Sequence, residues 1–199
     1  MRVRRLRWIL WGLVVLGAGG FGFLMLREPS VPSGAMVLEI SELGGPFALT
    51  DQHGRAVTQD DIAGRPYAVF FGFTNCPDVC PTTLFGLTRL METLGPEADR
   101  FKVLFVTVDP ERDSVEQLGL YMSSFDPRIV ALTGTPEATA RMLKNYRAYA
   151  RKVPTEGGYT MDHTALVFLM GSDGRFVSTL DLHEPQETQL GKLRRLVDR

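Results

Sequence analysis

"YAVFFGFTNCPDVCPTTL", residues 67–84, runs without a break from an apolar and aromatic stretch into a loop that holds both cysteines of the 199-residue chain. Residues 67–73 show no polar alternation, so they read as a strand buried on both faces. A helix is predicted from Pro81 to about Leu94, with Leu84, Leu87, Leu90, Met91 and Leu94 along one side. Two prolines govern the loop between them. A proline disfavours the helical region for the residue before it, so Cys76 and Cys80 are both expected outside the helix. Pro81 then opens the helix, where no N–H is needed, and Cys80 takes the cap position. Both thiols would lie over a helix N-terminus, whose unpaired N–H groups and dipole favour the thiolate that attacks disulfides and binds metals.

Outward from this stretch, strand and helix signals alternate. Residues 47–58 read as a hairpin with its turn at 51–54, and "KVLFVTV" at 102–108 as a second buried strand. Ser114 caps a helix running to about Ser123, "RIVALTG" follows as a strand, and Thr135 with Pro136 opens another helix. "TALVFLM" and "RFVST" flank a turn at 171–174, and "QETQLGKLRRLVD" closes the chain as an amphipathic helix. The pattern predicts an α/β fold, a mixed central sheet flanked by helices in a thioredoxin-like arrangement. The cysteines fall at the carboxyl end of the first central strand, where ligands gather in open α/β sheets.

Residues 8–26, "WILWGLVVLGAGGFGFLML", carry no charge, and as a helix would be close to 30 Å long, enough to cross a bilayer. Arg2, Arg4, Arg5 and Arg7 precede them, which places residues 1–7 in the cytoplasm and the domain after the span outside. The run is longer than a cleaved signal and lacks an Ala-x-Ala site, so it reads as an uncleaved anchor in the inner membrane. Residues 27–39 form a tether, and 40–199 a single domain on the periplasmic side. Setting those four arginines aside leaves 18 of the 22 basic residues against 23 acids, a net charge of −5 for the remainder. No basic patch recommends nucleic acid as a partner.

Export bears on the thiols. Outside the cytoplasm a pair tends to be oxidised unless a metal or a reductant intervenes. Two cysteines four positions apart close a small loop, so a purely structural staple is a weak explanation. Three residues separate them where thioredoxins have two, and the spacing alone leaves a redox pair and a metal site equally open. Nor does an arginine with a hydroxyl, as a peroxidase of the peroxiredoxin kind would need, stand beside Cys76. The third donor comes from the histidines. His53 lies in the first hairpin turn and His183 in a polar segment, both surface positions. His163 stands immediately before a strongly apolar strand, in the loop that faces the cysteine pair in thioredoxin-like folds and there carries a cis-proline. Two thiolates and an imidazole suit copper(I), satisfied by two or three ligands, better than structural zinc, which takes four. Asp162 reads as a loop-ordering or ligand-orienting group.

The segments "FFGFTNCPDVCPTTL", "VTVDPERDS" and "DHTALVFLMGSDGRFV" together resemble the Sco/SenC proteins, membrane-anchored copper-binding proteins of thioredoxin-like fold. The resemblance covers about residues 40–198. It implies Cys76, Cys80 and His163 as ligands of copper, with the oxidation state carried, Cu(I) or Cu(II), left open, and with the two cysteines able to form a disulfide. It further implies assistance to assembly of the dinuclear copper site in cytochrome c oxidase subunit II, by delivering copper or by reducing the client's cysteines. Other copper carriers or thiol reductants would be further partners. Many members have His where this chain has Asn75, which removes an auxiliary ligand and none of the main three. Asp109 also matches the family pattern, as a residue that orders loops near the site, contacts partners or simply lies at the surface.

Overall fold

The computed structural model describes residues 43–198. Strand β3, Tyr67–Gly72, is an interior strand of the sheet with all six of its residues buried, as the unalternating run requires. It pairs in parallel with β4, Lys102–Thr107, and β4 pairs in parallel with β5, Ile129–Thr133. The other strands are antiparallel: β1, Ala48–Asp51, beside β5; β2, Ala56–Thr58, at one edge; β8, Val167–Met170, beside β3; and β9, Phe176–Leu180, at the far edge. The spatial order is β2-β1-β5-β4-β3-β8-β9. This is the mixed sheet the alternation predicts.

Helix α1, Val79–Leu94, buries Leu84, Leu87, Leu90, Met91 and Leu94, the stripe read from the sequence. Helix α2, Val115–Met122, starts at Ser114, whose Oγ accepts the Gln117 N–H at 3.1 Å. Helix α3, Pro136–Asn145, starts at Thr135 in the same way, and α4, Gln186–Val197, ends the fold. The turn at 171–174 closes through Gly174 N–H to the Gly171 carbonyl at 2.9 Å, with Gly174 at φ 75°.

Two expectations need correction. Helix α1 begins at Val79, two residues earlier than predicted, with Asp78 as its cap and Cys80 inside the first turn. Pro81 is tolerated there because the first N–H groups of a helix have no intrahelical acceptor. The first regular bond runs from Thr82 N–H to the Asp78 carbonyl at 3.1 Å. The second concerns His163, expected in a loop: it ends β7, Gly158–His163, which pairs with β6, Ala150–Thr155, as a separate two-stranded ribbon. Gly157 and Gly158 signal the ribbon's turn, but Pro154 argues against a strand, and only an unpaired edge accepts it.

Among the described residues, no helix is long and apolar enough to cross a membrane. The expected span at 8–26 and the tether at 27–39 lie outside them.

Candidate metal centre

The thiol half of the site is built on β3 and α1. The loop between them turns back on itself where the Cys76 N–H donates to the Phe73 carbonyl at 3.3 Å. Across the loop the Cys80 N–H donates to Cys76 Sγ at 3.3 Å, so the outer sulfur sits on an otherwise unpaired donor of the first helical turn. Cys76 is half-buried and Cys80 fully buried, and both are free thiols. Burial pushes the Cys80 thiol far above its ordinary value, and the neighbouring Cys76 adds to the shift. Gly72 makes this burial feasible. A Cβ there would stand 2.9 Å from Cys80 Sγ and 2.7 Å from the Phe105 ring.

The imidazole half comes from the ribbon. His163 packs edge-on against Phe73 at 5.6 Å and Phe70 at 6.4 Å between ring centroids. Its Nδ1 lies 3.1 Å from the Thr164 carbonyl. A carbonyl only accepts, so Nδ1 carries the proton and Nε2 presents a lone pair. That lone pair faces Cys80 Sγ at 3.6 Å. The ligand atoms of Cys76, Cys80 and His163 all lie within 4.8 Å of one another. Bonds of about 2.0 to 2.3 Å place two donors on one ion no more than about 4.6 Å apart, so the triangle is close to the size of one coordination sphere. No fourth His, Cys, Asp or Glu joins the group among the described residues. A cleft of about 260 Å³, lined by Phe73, Cys76, Pro77, Asp78, Met161 and His163, opens the site to solvent.

The remaining candidates fall elsewhere. His53 and His183 are exposed, as their positions predict, and His183 pairs with Asp181 at 2.9 Å. Asp162 does not orient the imidazole. Its exposed carboxylate faces Arg151 across the ribbon at 3.8 Å, and the Thr164 carbonyl does the orienting instead. Asp109 is not a surface residue. It is buried and bonds to Arg112 and Tyr159. Thr74, Arg112, Asp113 and Tyr159 are absent from the sequence-based site, because their roles depend on which loops meet. "VDPERD" at 108–113 hinted at Arg112 and Asp113 alone.

A thioredoxin-like domain that brings two cysteines beyond its central strand against a histidine from the ribbon has the donors of a soft-metal or thiol-exchange site. The sequence profile of the SCO1/SenC family matches residues 37–198, and the chain belongs to that family. Yeast "Protein SCO2, mitochondrial" is 36% identical over 157 residues, covering 76% of this chain and 52% of that protein. The human "Protein SCO1 homolog, mitochondrial" is 37% identical over 139 residues, covering 68% of this chain and 46% of that one. This chain thus aligns with about half the length of these relatives. The copper-bound structure of Bradyrhizobium japonicum ScoI superposes with a TM-score of 0.74 at 49% identity, covering 77% of this chain and 99% of that one.

Proposed function

We propose that this protein is a copper chaperone that takes copper(I) as its cargo through Cys76, Cys80 and His163. Its client would be the dinuclear copper site of cytochrome c oxidase subunit II. The observation that carries the reading is the convergence of two sulfurs and a correctly protonated imidazole on one point, at the mouth of a cleft. Support also comes from the copper held by the Bradyrhizobium protein. Copper enters at half-buried Cys76, where it displaces that thiol's proton. The ion replaces the Cys80 proton at the buried sulfur, and His163 Nε2 closes the set without losing a proton, since its proton is parked on Nδ1. Release reverses this order as client thiolates replace the protein's donors one at a time. A helix at 8–26 would hold the domain beside its client on the exported face of the inner membrane. The test is titration of the reduced full-length protein with copper(I) against a chromophoric chelator. One ion per chain is expected, and His163→Ala should lower retention by more than about tenfold with the circular dichroism unchanged. Equal retention by the alanine variant would remove His163 from the ligand set.

The unequal exposure of the two cysteines favours a second reading, reduction of the client's disulfide. The Cys76 thiolate would attack one client sulfur, forming a mixed disulfide and releasing the other as a thiolate. Cys80, once deprotonated, would attack Cys76 Sγ and free the second client thiol. Two electrons pass to the client and a Cys76–Cys80 disulfide is left. A reduction potential above that of the client disulfide would defeat this reading.

A further inference from the structure

We infer that the turn at residues 109–113 is the positioning element of the site, with Asp113 setting the thiol loop and Asp109, acting with Arg112 and Tyr159, setting the ribbon that carries His163. The inference rests on the metal-binding reading above and names the residues that keep its two halves in register.

The turn starts where β4 ends. Thr107 Oγ1 accepts the Asp109 N–H at 2.9 Å and donates to Asp113 Oδ2 at 2.5 Å. The Asp109 carbonyl accepts the N–H groups of Arg112 at 3.1 Å and Asp113 at 3.0 Å. The turn is therefore fixed to the central sheet, and its two carboxylates point to different loops. Asp113, fully buried, accepts the Thr74 N–H at 3.0 Å and the Thr74 hydroxyl at 2.6 Å. Thr74 lies two residues before Cys76 and follows Phe73, whose carbonyl closes the thiol loop. A carboxylate taken wholly out of water persists only where donors meet it, so this contact fixes Thr74 closely.

Asp109 faces the other way. Its Oδ1 accepts the Tyr159 hydroxyl at 2.9 Å, and its Oδ2 pairs with Arg112 Nε. Arg112 Nη1 donates to the Tyr159 carbonyl at 2.9 Å, and the guanidinium lies 3.8 Å from the centre of the Tyr159 ring. Tyr159 is thus gripped by its hydroxyl, its ring face and its backbone. It sits on β7, four residues before His163. Two-stranded ribbons are marginal by themselves, so this one takes its place from contacts with the body.

Full-length protein tests the assignment through amide hydrogen exchange and copper(I) retention. Arg112→Lys keeps the charge and loses the fork to the Tyr159 carbonyl. It should speed exchange at residues 160–163, leave α1 amides unchanged, and weaken copper retention by about tenfold. Tyr159→Phe should give the same pattern more weakly. Asp113→Asn should speed exchange at the Cys76 amide and leave the ribbon as it was. In a His163→Ala background neither Arg112→Lys nor Tyr159→Phe should lower retention further, because the latch acts through that ring. Unchanged ribbon exchange in both variants overturns the assignment, as does an equal copper loss without His163. If the parent protein holds no copper(I), the metal reading falls, and the exchange measurements alone decide the latch.

Discussion

The two halves of the site are built differently. The cysteines stand at the junction of a fully buried strand and a helix with a continuous apolar stripe. The histidine stands on a ribbon whose strands pair only with each other and whose residues are all partly or fully exposed. On the proposed reading, a site that carries cargo has to bind firmly and also let go. Placing two ligands on rigid structure and the third on a latched ribbon separates those demands. The sulfurs would then define where the ion sits, and the imidazole, held by the ribbon and packed on Phe70 and Phe73, would complete the set.

This contrast can be broken from either side. The largest effect is expected in the rigid half. Phe71 is fully buried against Tyr146 and Phe168, and Phe71→Ala should cost about 3–5 kcal/mol of stability by urea denaturation. A loss near that of a surface change would mean the thiol half is not the rigid one. Gly72→Ala comes next, at about 1–3 kcal/mol, since its methyl group must displace Cys80 Sγ or the Phe105 ring. It should also lower copper retention, which Phe71→Ala should not do in the molecules that remain folded.

A smaller effect separates the halves by pH. Hydrogen bonds from Arg128 hold the buried Asp126 carboxyl below its ordinary value. A depressed carboxyl stabilises the fold above its unfolded-state pKa of about 3.9, and that contribution disappears as pH falls through the lower folded value. Arg128 also donates to the Gly95 carbonyl just after α1, so the stabilisation belongs to the body. Asp126→Asn should therefore flatten the fall in denaturation midpoint between pH 5 and about pH 2. An unchanged slope would show that other groups govern the acid response.

The sequence disclosed most of the body because its signals are local. The run at 67–73 could only be a buried strand, and Ser114 and Thr135 cap the helices they were expected to cap. The start of α1 was displaced because a proline rule that holds within a helix does not bind its first turn. The ribbon was missed because its strands bury little and Pro154 conceals one of them. At the site, the residue types and spacing already singled out Cys76, Cys80 and His163. Of their supporting cast only Asp109 was named, with loop ordering as one of its readings, whereas Asp113 looks like an ordinary turn acid until the thiol loop arrives beside it.

By itself, then, the amino-acid order determined the strand and helix pattern, the central place of residues 67–73 and the chemistry of the three donors. Those follow from burial periodicity, capping and ligand softness, which act over a few residues. Only the tertiary structure decided that His163 Nε2 faces Cys80 Sγ, which ring nitrogen holds the proton, and which carboxylates anchor each half. Such contacts join residues up to 83 positions apart, and no local preference of the chain fixes a distance across that separation.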